Sequence, residues 1–469
     1  MPHSLDTHRI YPRSVKGAFR SLKYLVLVLA YGTYFTLPWL RWDRGGGPDQ
    51  AILFDIHARR FYLFDLVVHP QDIFWLAGML ILAALLLFFV TGLAGRVFCG
   101  YFCFQTLWSD VFVAIERFVQ GERTARIRLD KAPWRPIKIL KKGLTHLLWL
   151  VMSFVTGLAF VLYWGDAPTL VEQFFSAEAP FAAYATTLFL TATTYVMAGI
   201  AREQVCLYMC PYSRFQSVMF DEDTLVVEYD RLRGEGSAGR GRLQKTLRDR
   251  DSRHQAGMGD CIDCGYCVQV CPTGIDIREG LQIECISCGL CIDACNTIMD
   301  SVGWERGLIK YTSERSRLGE KTRFIKAKTL GYGAAILVVS GALLWSVLTR
   351  GDLDMSASQI RQPLFVLLSD GRIQNRYELK FNNKSEQTLV LDIGLEGLPG
   401  AELDLGTLER IELAPEHSLR VMAKVRLAPE PAGAEQTPFT FVVGTQVGGQ
   451  QEVVRHPSQF VVPANRINR

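Results

Sequence analysis

The sequence has little net charge, few histidines and no cysteine after position 295. A formal net charge of +4 on 469 residues is too small to indicate a nucleic-acid-binding surface, so nucleic acid is not an expected partner. Only His146 of the eight histidines lies in or beside a long apolar segment, so a haem held by two histidines between helices lacks a ligand pair. His57 and His69 share one loop, and we interpret them as solvated. The cysteine-free C-terminal part excludes a disulfide framework there.

Eight of the twelve cysteines form two adjacent runs with the same C-x2-C-x2-C-x3-C spacing. This spacing is typical of ferredoxins with two [4Fe–4S] clusters, in which the fourth cysteine of each run binds the other cluster. Gly265 and Gly289 allow the backbone to curl around inorganic sulfide. The alternative is a pair of zinc sites, since C-x2-C is also a zinc spacing. The spacing predicts a first cluster on Cys261, Cys264, Cys267 and Cys295, and a second cluster on Cys285, Cys288, Cys291 and Cys271.

Five apolar segments are long enough to cross a bilayer, which takes roughly 20 residues. The first is too long for a signal-peptide core and lacks a small-residue cleavage site, so we interpret it as a retained span. The sequence therefore predicts an α-helical transmembrane bundle. Its five predicted spans are residues 22–40, 74–95, 144–164, 181–201 and 330–348.

The distribution of lysine and arginine predicts the orientation of these spans. Basic residues are concentrated in the N-terminal arm, in the loop after the second span and just before the fifth, whereas residues 165–180 carry three acids and no base. The loop after the first span is less clear, with four arginines. We expect the N-terminus and the two cysteine runs to be cytoplasmic and everything after the fifth span to be periplasmic, at a bacterial inner membrane.

The other four cysteines lie at the predicted cytoplasmic ends of the second and fourth spans, and we name them the membrane-edge cysteines. A spacing of four residues predicts that both members of each pair lie on one face of a helix. Soft thiolates at such a site favour Cu(I), zinc or iron–sulfur. The alternative is that they pack as small apolar side chains. The two pairs are Cys99 with Cys103 and Cys206 with Cys210.

The segment before the cysteine runs contains Gly234, Gly236 and Gly239 in the pattern G-x-G-x-x-G. No apolar helix follows this pattern, which argues against a dinucleotide site, and we interpret the segment as a solvated linker. The predicted organisation is an N-terminal arm (1–21), a four-span domain (22–220), a linker with a ferredoxin-like domain (221–325), a fifth helix (326–350) and a C-terminal module (351–469).

The C-terminal module alternates apolar and polar residues in short segments separated by turn residues, which predicts an antiparallel β-sandwich. The clearest segments are residues 377–381, 389–393, 419–425 and 439–443. Turns are expected at Asn382-Asn383, Pro399-Gly400, Pro429 and Gly448-Gly449.

The order of these parts resembles the FixG-like family of cytochrome c oxidase accessory proteins, which are membrane ferredoxins associated with cbb-type oxidases. The resemblance covers nearly the full length of the chain. It is carried by the tandem cysteine runs followed by Asp300 and Gly303, and by four further motifs. These motifs are Phe54-Asp-Ile-His-Ala-Arg-Arg-Phe61, Val97-Phe-Cys99-Gly-Tyr-Phe-Cys103, Glu203-Gln-Val-Cys206-Leu-Tyr-Met-Cys210-Pro211-Tyr212 and Asp370-Gly-Arg-Ile-Gln-Asn-Arg376.

The resemblance implies a multi-domain integral membrane protein whose C-terminal module is immunoglobulin-like. It further implies a role in oxidase assembly, with reduction of Cu(II) to Cu(I) as the chemistry, so that the chain acts as a cupric reductase. The membrane-edge cysteines Cys99, Cys103, Cys206 and Cys210 are then the expected copper site, and the eight ferredoxin cysteines relay electrons. Implied partners are cbb-type oxidase subunits or copper chaperones, membrane lipid and a cytoplasmic or quinol electron donor. A homodimer is left open.

Two other functions compete with this one. Membrane ferredoxins with a similar C-x3-C-P signature resemble quinol dehydrogenases of periplasmic nitrate reduction, in which quinol reduces the clusters. The third hypothesis is a non-enzymatic scaffold, in which the β-sandwich docks oxidase subunits while the clusters sense redox state.

Overall fold

A computed structural model describes residues 9–44, 47–244, 249–385, 387–406, 411–415, 417–428, 436–447 and 450–462. The chain divides into two units, and the boundary between them falls at residues 343 and 344. The first unit contains all twelve cysteines, and the second contains the C-terminal strands.

Helices make up most of the first unit. The α-helices of the chain are α1 (Ala18–Thr36), α2 (Ile73–Ala94), α3 (Val97–Tyr101), α4 (Phe104–Gln120), α5 (Arg123–Lys131), α6 (Pro136–Val161), α7 (Ala167–Phe175), α8 (Phe181–Thr194), α9 (Pro211–Val218), α10 (Arg231–Glu235), α11 (Arg250–Gln255), α12 (Tyr266–Val270), α13 (Leu290–Val302), α14 (Glu314–Arg317) and α15 (Ala327–Leu348). Short 3₁₀-helices span Leu37–Trp39, Pro70–Asp72, Leu162–Trp164 and Ile277–Glu279, and π-helices span Tyr195–Ala201 and Val205–Met209.

Among the described residues, five helical segments are long and apolar enough to cross a membrane. Their number agrees with the sequence prediction, and they indicate a membrane protein. One member differs, because Val97–Gln120 belongs to the set and α1 does not. The predicted span 22–40 is wrong in its bounds, because the helix runs from Ala18 to Thr36. It therefore includes Arg20 in addition to Lys23, and these two cations lower its mean hydropathy. The five segments are Ile73–Ala94, Val97–Gln120, Pro136–Trp164, Phe181–Ala201 and Ala327–Leu348.

Helix α4, helix α6 and the π-helix Tyr195–Ala201, which continues α8, pack around a buried tryptophan. The ring of Trp149 stacks on Phe112 with centroids 5.4 Å apart, and its indole N–H donates to the Phe112 carbonyl at 3.1 Å. Gly157 lets α6 approach α8, because a Cβ there would lie 2.7 Å from the carbonyl of Thr187. Small residues at such crossings are typical of membrane helix packing.

Two small antiparallel sheets complete the first unit. Strands β1 (Ile52–Asp55), β2 (Arg60–Leu63) and β3 (Leu66–Val68) follow α1, and β4 (Val226–Tyr229) pairs with β5 (Ile309–Thr312) on either side of the cysteine runs. His57 is exposed as predicted, but the interpretation of His69 as solvated is wrong. His69 is buried, and its backbone N–H donates to the Asp72 carboxylate at the start of a short 3₁₀-helix.

The second unit is an antiparallel β-sandwich, which confirms the sequence prediction. One sheet has the strand order β10-β12-β8-β6, with β7 also paired to β8, and the other has the order β11-β9-β13-β14. Phe381, Phe441 and Phe460 lie fully buried in its core. The strands are β6 (Leu353–Gln359), β7 (Val366–Leu367), β8 (Ile373–Asn383), β9 (Leu389–Glu396), β10 (Glu402–Asp404), β11 (Ile411–Leu413), β12 (Ser418–Leu427), β13 (Gln436–Val447) and β14 (Gln450–Val461).

One predicted turn in this unit is wrong. Asn382 and Asn383 end strand β8 and are buried, because the Asn383 amide donates to the carbonyls of Leu413 and Ala414. The turn at Pro399-Gly400 is present. Pro429 and Gly448-Gly449 lie outside the described residues.

Candidate functional site

The two cysteine runs fold in the same way. In each run the residue before the second cysteine and the glycine after it have positive φ, namely 51° at Asp263, 64° at Gly265, 52° at Ser287 and 71° at Gly289. Helices α12 and α13 begin directly after these glycines. Sequence analysis predicted that the two glycines allow the backbone to curl. It did not predict left-handed backbone at Asp263 and Ser287. Left-handed backbone at non-glycine residues is costly and is concentrated at functional sites.

Two cavities lie between these runs, and cysteines line both. The first has a volume of about 370 Å³ and the second about 360 Å³. Cys267 lines both cavities. Apart from Cys267, each cavity is lined by three cysteines of one run and the fourth cysteine of the other run, which is the grouping that the sequence predicts. The first is lined by Cys261, Cys264, Cys267 and Cys295, and the second by Cys271, Cys285, Cys288 and Cys291.

The residues around these cavities fit iron–sulfur clusters better than single zinc ions. The walls are mostly apolar, with Ile277, Ile286 and Leu290 at the second cavity and Met299 and Leu308 at the first. Across the described ranges, no three His, Cys, Asp or Glu side chains converge on a position that could hold one metal ion.

The two cavities differ in their access to solvent. Cys264, at the first cavity, is exposed, whereas Cys285 and Cys288, at the second, are buried. The first cavity is therefore the outer one and the second the inner one.

Asp260, next to the first run, is the centre of a polar cluster. Its buried carboxylate accepts hydrogen bonds from Arg233 at 2.7 Å, Arg250 at 2.9 Å and His254 at 2.8 Å. Burial alone would raise the pKa of Asp260, but these hydrogen bonds hold its pKa at about 2. Asp260 is therefore a permanent anion that fixes the chain at the start of the first run.

The glycine-rich segment is part of this cluster, so its interpretation as a solvated linker is wrong. Cys261 N–H donates to the Gly234 carbonyl at 3.0 Å, and Gly259 N–H donates to the Glu235 carbonyl at 3.1 Å. These backbone bonds hold α10 against the cysteine run. The linker interpretation concerned residues 245–248 as well, which lie outside the described residues.

The membrane-edge cysteines lie where helices end. Cys99 is in α3 and Cys103 caps the start of α4, while Cys206 is in a π-helix and Cys210 caps the start of α9. The prediction that each pair shares one helical face is wrong. Both Cys103 and Cys210 have extended backbone, because a new helix starts directly after each of them.

Two glutamine side chains link the two cysteine pairs. The Gln105 amide donates to the carbonyls of Met197, at 2.8 Å, and Arg202, at 3.1 Å, and so joins the start of α4 to the chain before Cys206. The Cys99 thiol donates to the side-chain carbonyl of Gln216 at 3.0 Å, and Gln216 lies in α9, which starts directly after Cys210. The structure thus brings the two pairs into one neighbourhood.

The first cysteine pair packs directly against the inner cavity, at a contact that we name the junction. A Cβ at Gly100 would lie 2.7 Å from the Ile286 carbonyl and 3.0 Å from the Cα of Cys288. Tyr101 donates to the Cys288 carbonyl at 2.9 Å. Arg96 donates to the Ile283 carbonyl in the same region. Only a glycine allows this backbone-to-backbone approach.

A buried carboxylate that sequence analysis missed supports the second pair. Glu116 is almost fully buried and forms ion pairs with Arg9 at 2.6 Å, Arg202 at 2.7 Å and Arg126 at 3.1 Å. Arg202 has a φ of 40° and lies four residues before Cys206. The available signal was an acidic residue inside an apolar segment, which by itself indicates a functional or structural role.

The ferredoxin region also caps the first helix. The Asp293 carboxylate of α13 accepts from the backbone N–H groups of Phe19, at 3.3 Å, and Arg20, at 2.8 Å. A carboxylate is favourable at a helix N-terminus because free N–H groups and the helix dipole are both positive there. Helix α1 therefore starts at the ferredoxin region.

Two cysteine-lined cavities joined to membrane-length helices define a membrane-bound iron–sulfur redox protein. Residues 201–314 match the family of 4Fe-4S dicluster domains, and residues 343–463 match the immunoglobulin-like fold found at the C-terminus of FixG. These matches favour iron–sulfur over the zinc alternative.

The chain belongs to the FixG family. It is 40% identical over 432 residues to the nitrogen fixation protein FixG of Rhizobium meliloti, covering 84% of this chain and 80% of that protein. It is 43% identical over 401 residues to RdxA of Cereibacter sphaeroides, covering 83% of each. RdxB of the same organism is 41% identical over 465 residues, covering 96% of this chain and 95% of RdxB. The crystal structure of a FixG-related protein from Vibrio parahaemolyticus covers 24% of this chain and 97% of its own, with 19% identity and a TM-score of 0.21.

Proposed function

We propose that this protein reduces Cu(II) to Cu(I) at its membrane-edge cysteines, for copper delivery to a cbb-type cytochrome c oxidase. The observation that carries this proposal is the junction, where Gly100 and Tyr101 contact the backbone of Cys288. Through it, a redox site lies next to a group of soft thiols. Its partners are then oxidase subunits or copper chaperones.

We assign eight cysteines to two [4Fe–4S] clusters, with Cys261, Cys264, Cys267 and Cys295 holding the first and Cys285, Cys288, Cys291 and Cys271 holding the second. When bound, the clusters supply one-electron transfer. The chain's own residues set the environment. Ile277, Leu290 and Met299 exclude water, and the left-handed turns at Gly265 and Gly289 shape the binding loops.

Copper enters this proposal as a substrate rather than as a resident metal. Each Cu(II) takes up one electron and becomes Cu(I), which soft thiolates bind preferentially. A substrate site does not need four ligands arranged beforehand, and the four thiols are not arranged around one position. Cys99 and Cys206 are the members of each pair that lie inside helical turns, and Cys103 and Cys210 lie at the following helix starts.

We further propose that α1 spans the membrane, although its charged first turns lower its hydropathy. It starts at Asp293 of the ferredoxin region, and at its other end Tyr163 donates to the Tyr34 carbonyl beside the C-terminus of α6. By contrast, we propose that α4 does not span the membrane. It carries Glu116, whose partners Arg9 and Arg126 belong to the basic N-terminal arm and to the basic loop after the second predicted span. The positive-inside rule then places the N-terminus and clusters in the cytoplasm and the β-sandwich in the periplasm.

Anaerobic purification followed by iron, sulfide and zinc analysis tests the cluster assignment. The ligand sets predict about eight irons and equal acid-labile sulfide per chain. Tightly bound zinc without sulfide would exclude the assignment. Reduction of added Cu(II) by the dithionite-reduced protein tests the copper step and separates it from the scaffold hypothesis, which predicts no Cu(I).

A further inference from the structure

A third cavity lies between the N-terminal arm, α4 and the chain around Cys206; no cysteine of the two runs lines it, although it shares Thr273, Ile286 and Leu290 with the inner cavity. The space between its walls, including the part open to solvent, is about 760 Å³. Val15, Val113 and Leu290 supply part of an apolar lining. We name this space the arm cavity.

Positive charge dominates the arm cavity. Five basic side chains line it, against the carboxylates of Asp110 and Glu203, and one of the five, Arg202, is already paired with Glu116. Two cations share the Asp110 carboxylate. Arg20 donates to it twice, at 3.0 Å and 2.9 Å, and the Lys23 ammonium lies 3.8 Å from it. A cleft with excess positive charge favours an anionic ligand. The basic residues are Arg13, Arg20, Lys23, Arg117 and Arg202.

A buried donor without a partner lies in this cavity wall. Arg20 is only 5% exposed, and its Nη2 makes no hydrogen bond within the described part of the chain. The guanidinium of Arg20 stacks over the ring of Tyr24, with its Cζ 4.0 Å from the ring centroid. A buried N–H without an acceptor is costly, and a bound anion would satisfy it.

An apolar groove continues from the arm cavity along α1 and α4. Arg20 and Asp110 line both spaces, and the groove walls are Leu27, Val111 and Phe118 together with Ala114 and Ile115. Phe118 is 86% exposed, and it lies in the segment Val97–Gln120, which is long and apolar enough to cross a membrane. Its side chain is therefore free to contact lipid. A ligand with an anionic head group at Arg20 can therefore place an alkyl chain in the groove.

We propose that the arm cavity and its groove bind an anionic phospholipid, with the phosphate at Arg20, Lys23 and Arg117 and an acyl chain along α1 and α4. Basic pockets beside membrane helices recognise anionic headgroups in this way. A quinol is a weaker fit because its head is neutral. The lipid would hold the arm, residues 10–15, against Val270 at the end of α12 and Ile286 of the second cysteine run. This inference does not depend on copper reduction.

Native mass spectrometry of the full detergent-purified chain tests the site. The probes are 1-palmitoyl-2-oleoyl-phosphatidylglycerol, its phosphatidylcholine counterpart and soluble sn-glycerol 3-phosphate. We expect the wild-type chain to bind phosphatidylglycerol in preference to phosphatidylcholine. Glycerol phosphate should not displace the lipid, because it cannot occupy the groove.

Three variants locate the site. Arg117→Gln should weaken phosphatidylglycerol binding about fivefold, the effect of removing one basic residue near a headgroup. Val113→Phe fills the cavity without changing charge and should also weaken binding. Arg135→Gln removes an exposed charge outside the cavity and should leave binding unchanged.

Three results would overturn the proposal. Equal binding of the two phospholipids would remove the role of charge, and equal losses in Arg117→Gln and Arg135→Gln would indicate a non-specific basic surface. Displacement by glycerol phosphate would identify a soluble anion as the ligand. Unchanged iron content in Arg117→Gln and Val113→Phe shows that each variant is folded, so a loss of lipid is not a loss of structure.

Discussion

Tyr101, inside the first membrane-edge pair, donates a hydrogen bond of 2.9 Å to the backbone carbonyl of Cys288, in the second cysteine run. This contact connects the thiol site to the inner cavity rather than to the outer one, where Cys264 is exposed. The geometry suggests an order for electron flow. Electrons would arrive from the cytoplasm at Cys264, cross to the buried site of Cys288, and reach the thiols through the junction.

Replacing Gly100 tests the junction. In Gly100→Ala the new Cβ would lie 2.7 Å from the Ile286 carbonyl, so the two backbones must separate. We expect Cu(I) formation to slow severalfold while iron content stays unchanged, measured with a chromogenic Cu(I) chelator and by metal analysis. The control is Gly143→Ala, because a Cβ there meets nothing within 4 Å. Equal rates in the two variants would show that the close approach has no role in electron delivery.

The two equivalent glycines of the cysteine runs should respond differently to substitution. Both have positive φ, so alanine costs about 1–2 kcal/mol at either position. At Gly289 a Cβ would also lie 2.7 Å from the Phe19 ring, whereas at Gly265 the nearest atom is 4.0 Å away. Gly289→Ala should therefore lose about four irons, those of one cluster, and Gly265→Ala should lose fewer. Iron and sulfide analysis after anaerobic purification measures both; the reverse order would contradict the packing argument.

The elements that sequence could predict are those with a local pattern. The alternating residues 377–381 and 439–443 lie in β8 and β13 because every second side chain enters one core. Crossing of the fourth cysteine predicted the groups that line the two cavities, since ferredoxin spacing leaves few other arrangements. That these cysteines bind clusters, and that the membrane-edge cysteines bind copper, are still predictions.

The elements that sequence could not predict depend on contacts between distant residues. No local pattern distinguishes the π-helix Val205–Met209 from an α-helix, so the geometry of Cys206 and Cys210 was missed. Asp260 orders the glycine-rich segment through Arg233, 27 residues earlier. Arg20 and Lys23 lower the hydropathy of α1. Sequence could not show that both charges are paired inside the protein, with Asp110.

Neutralising Glu116 should destabilise the first unit. Glu116→Gln leaves Arg126 and Arg202 buried without their carboxylate, and breaking a buried ion pair in this way costs about 3–5 kcal/mol. We expect a lower unfolding temperature and loss of copper binding, because Arg202 positions the chain before Cys206. Thermal unfolding in detergent followed by intrinsic fluorescence measures the change. The matched control is Glu172→Gln, an exposed carboxylate of α7; equal stability of the two variants would exclude a structural role for Glu116.

The proposed topology predicts a periplasmic C-terminus. Alkaline phosphatase fused after residue 469 should be active in cells, because this enzyme matures only where disulfides form. A fusion after residue 321, before α15, should be inactive. Activity only in the second fusion would reverse the orientation and place the clusters outside the cytoplasm.

The central claim is that electrons held by the two proposed clusters, which the ferredoxin cysteines would bind, reduce copper at the membrane-edge cysteines. The most direct measurement is the yield of Cu(I) from dithionite-reduced protein freed of excess reductant, compared with a variant carrying Cys99→Ser, Cys103→Ser, Cys206→Ser and Cys210→Ser. Hydroxyl groups hold Cu(I) poorly, and none of these changes touches a proposed cluster ligand. The wild-type protein should yield about two Cu(I) per chain, one per cluster, and the variant should keep its iron and yield almost none. An unchanged Cu(I) yield and rate in the variant would contradict the account and return the four cysteines to a packing role.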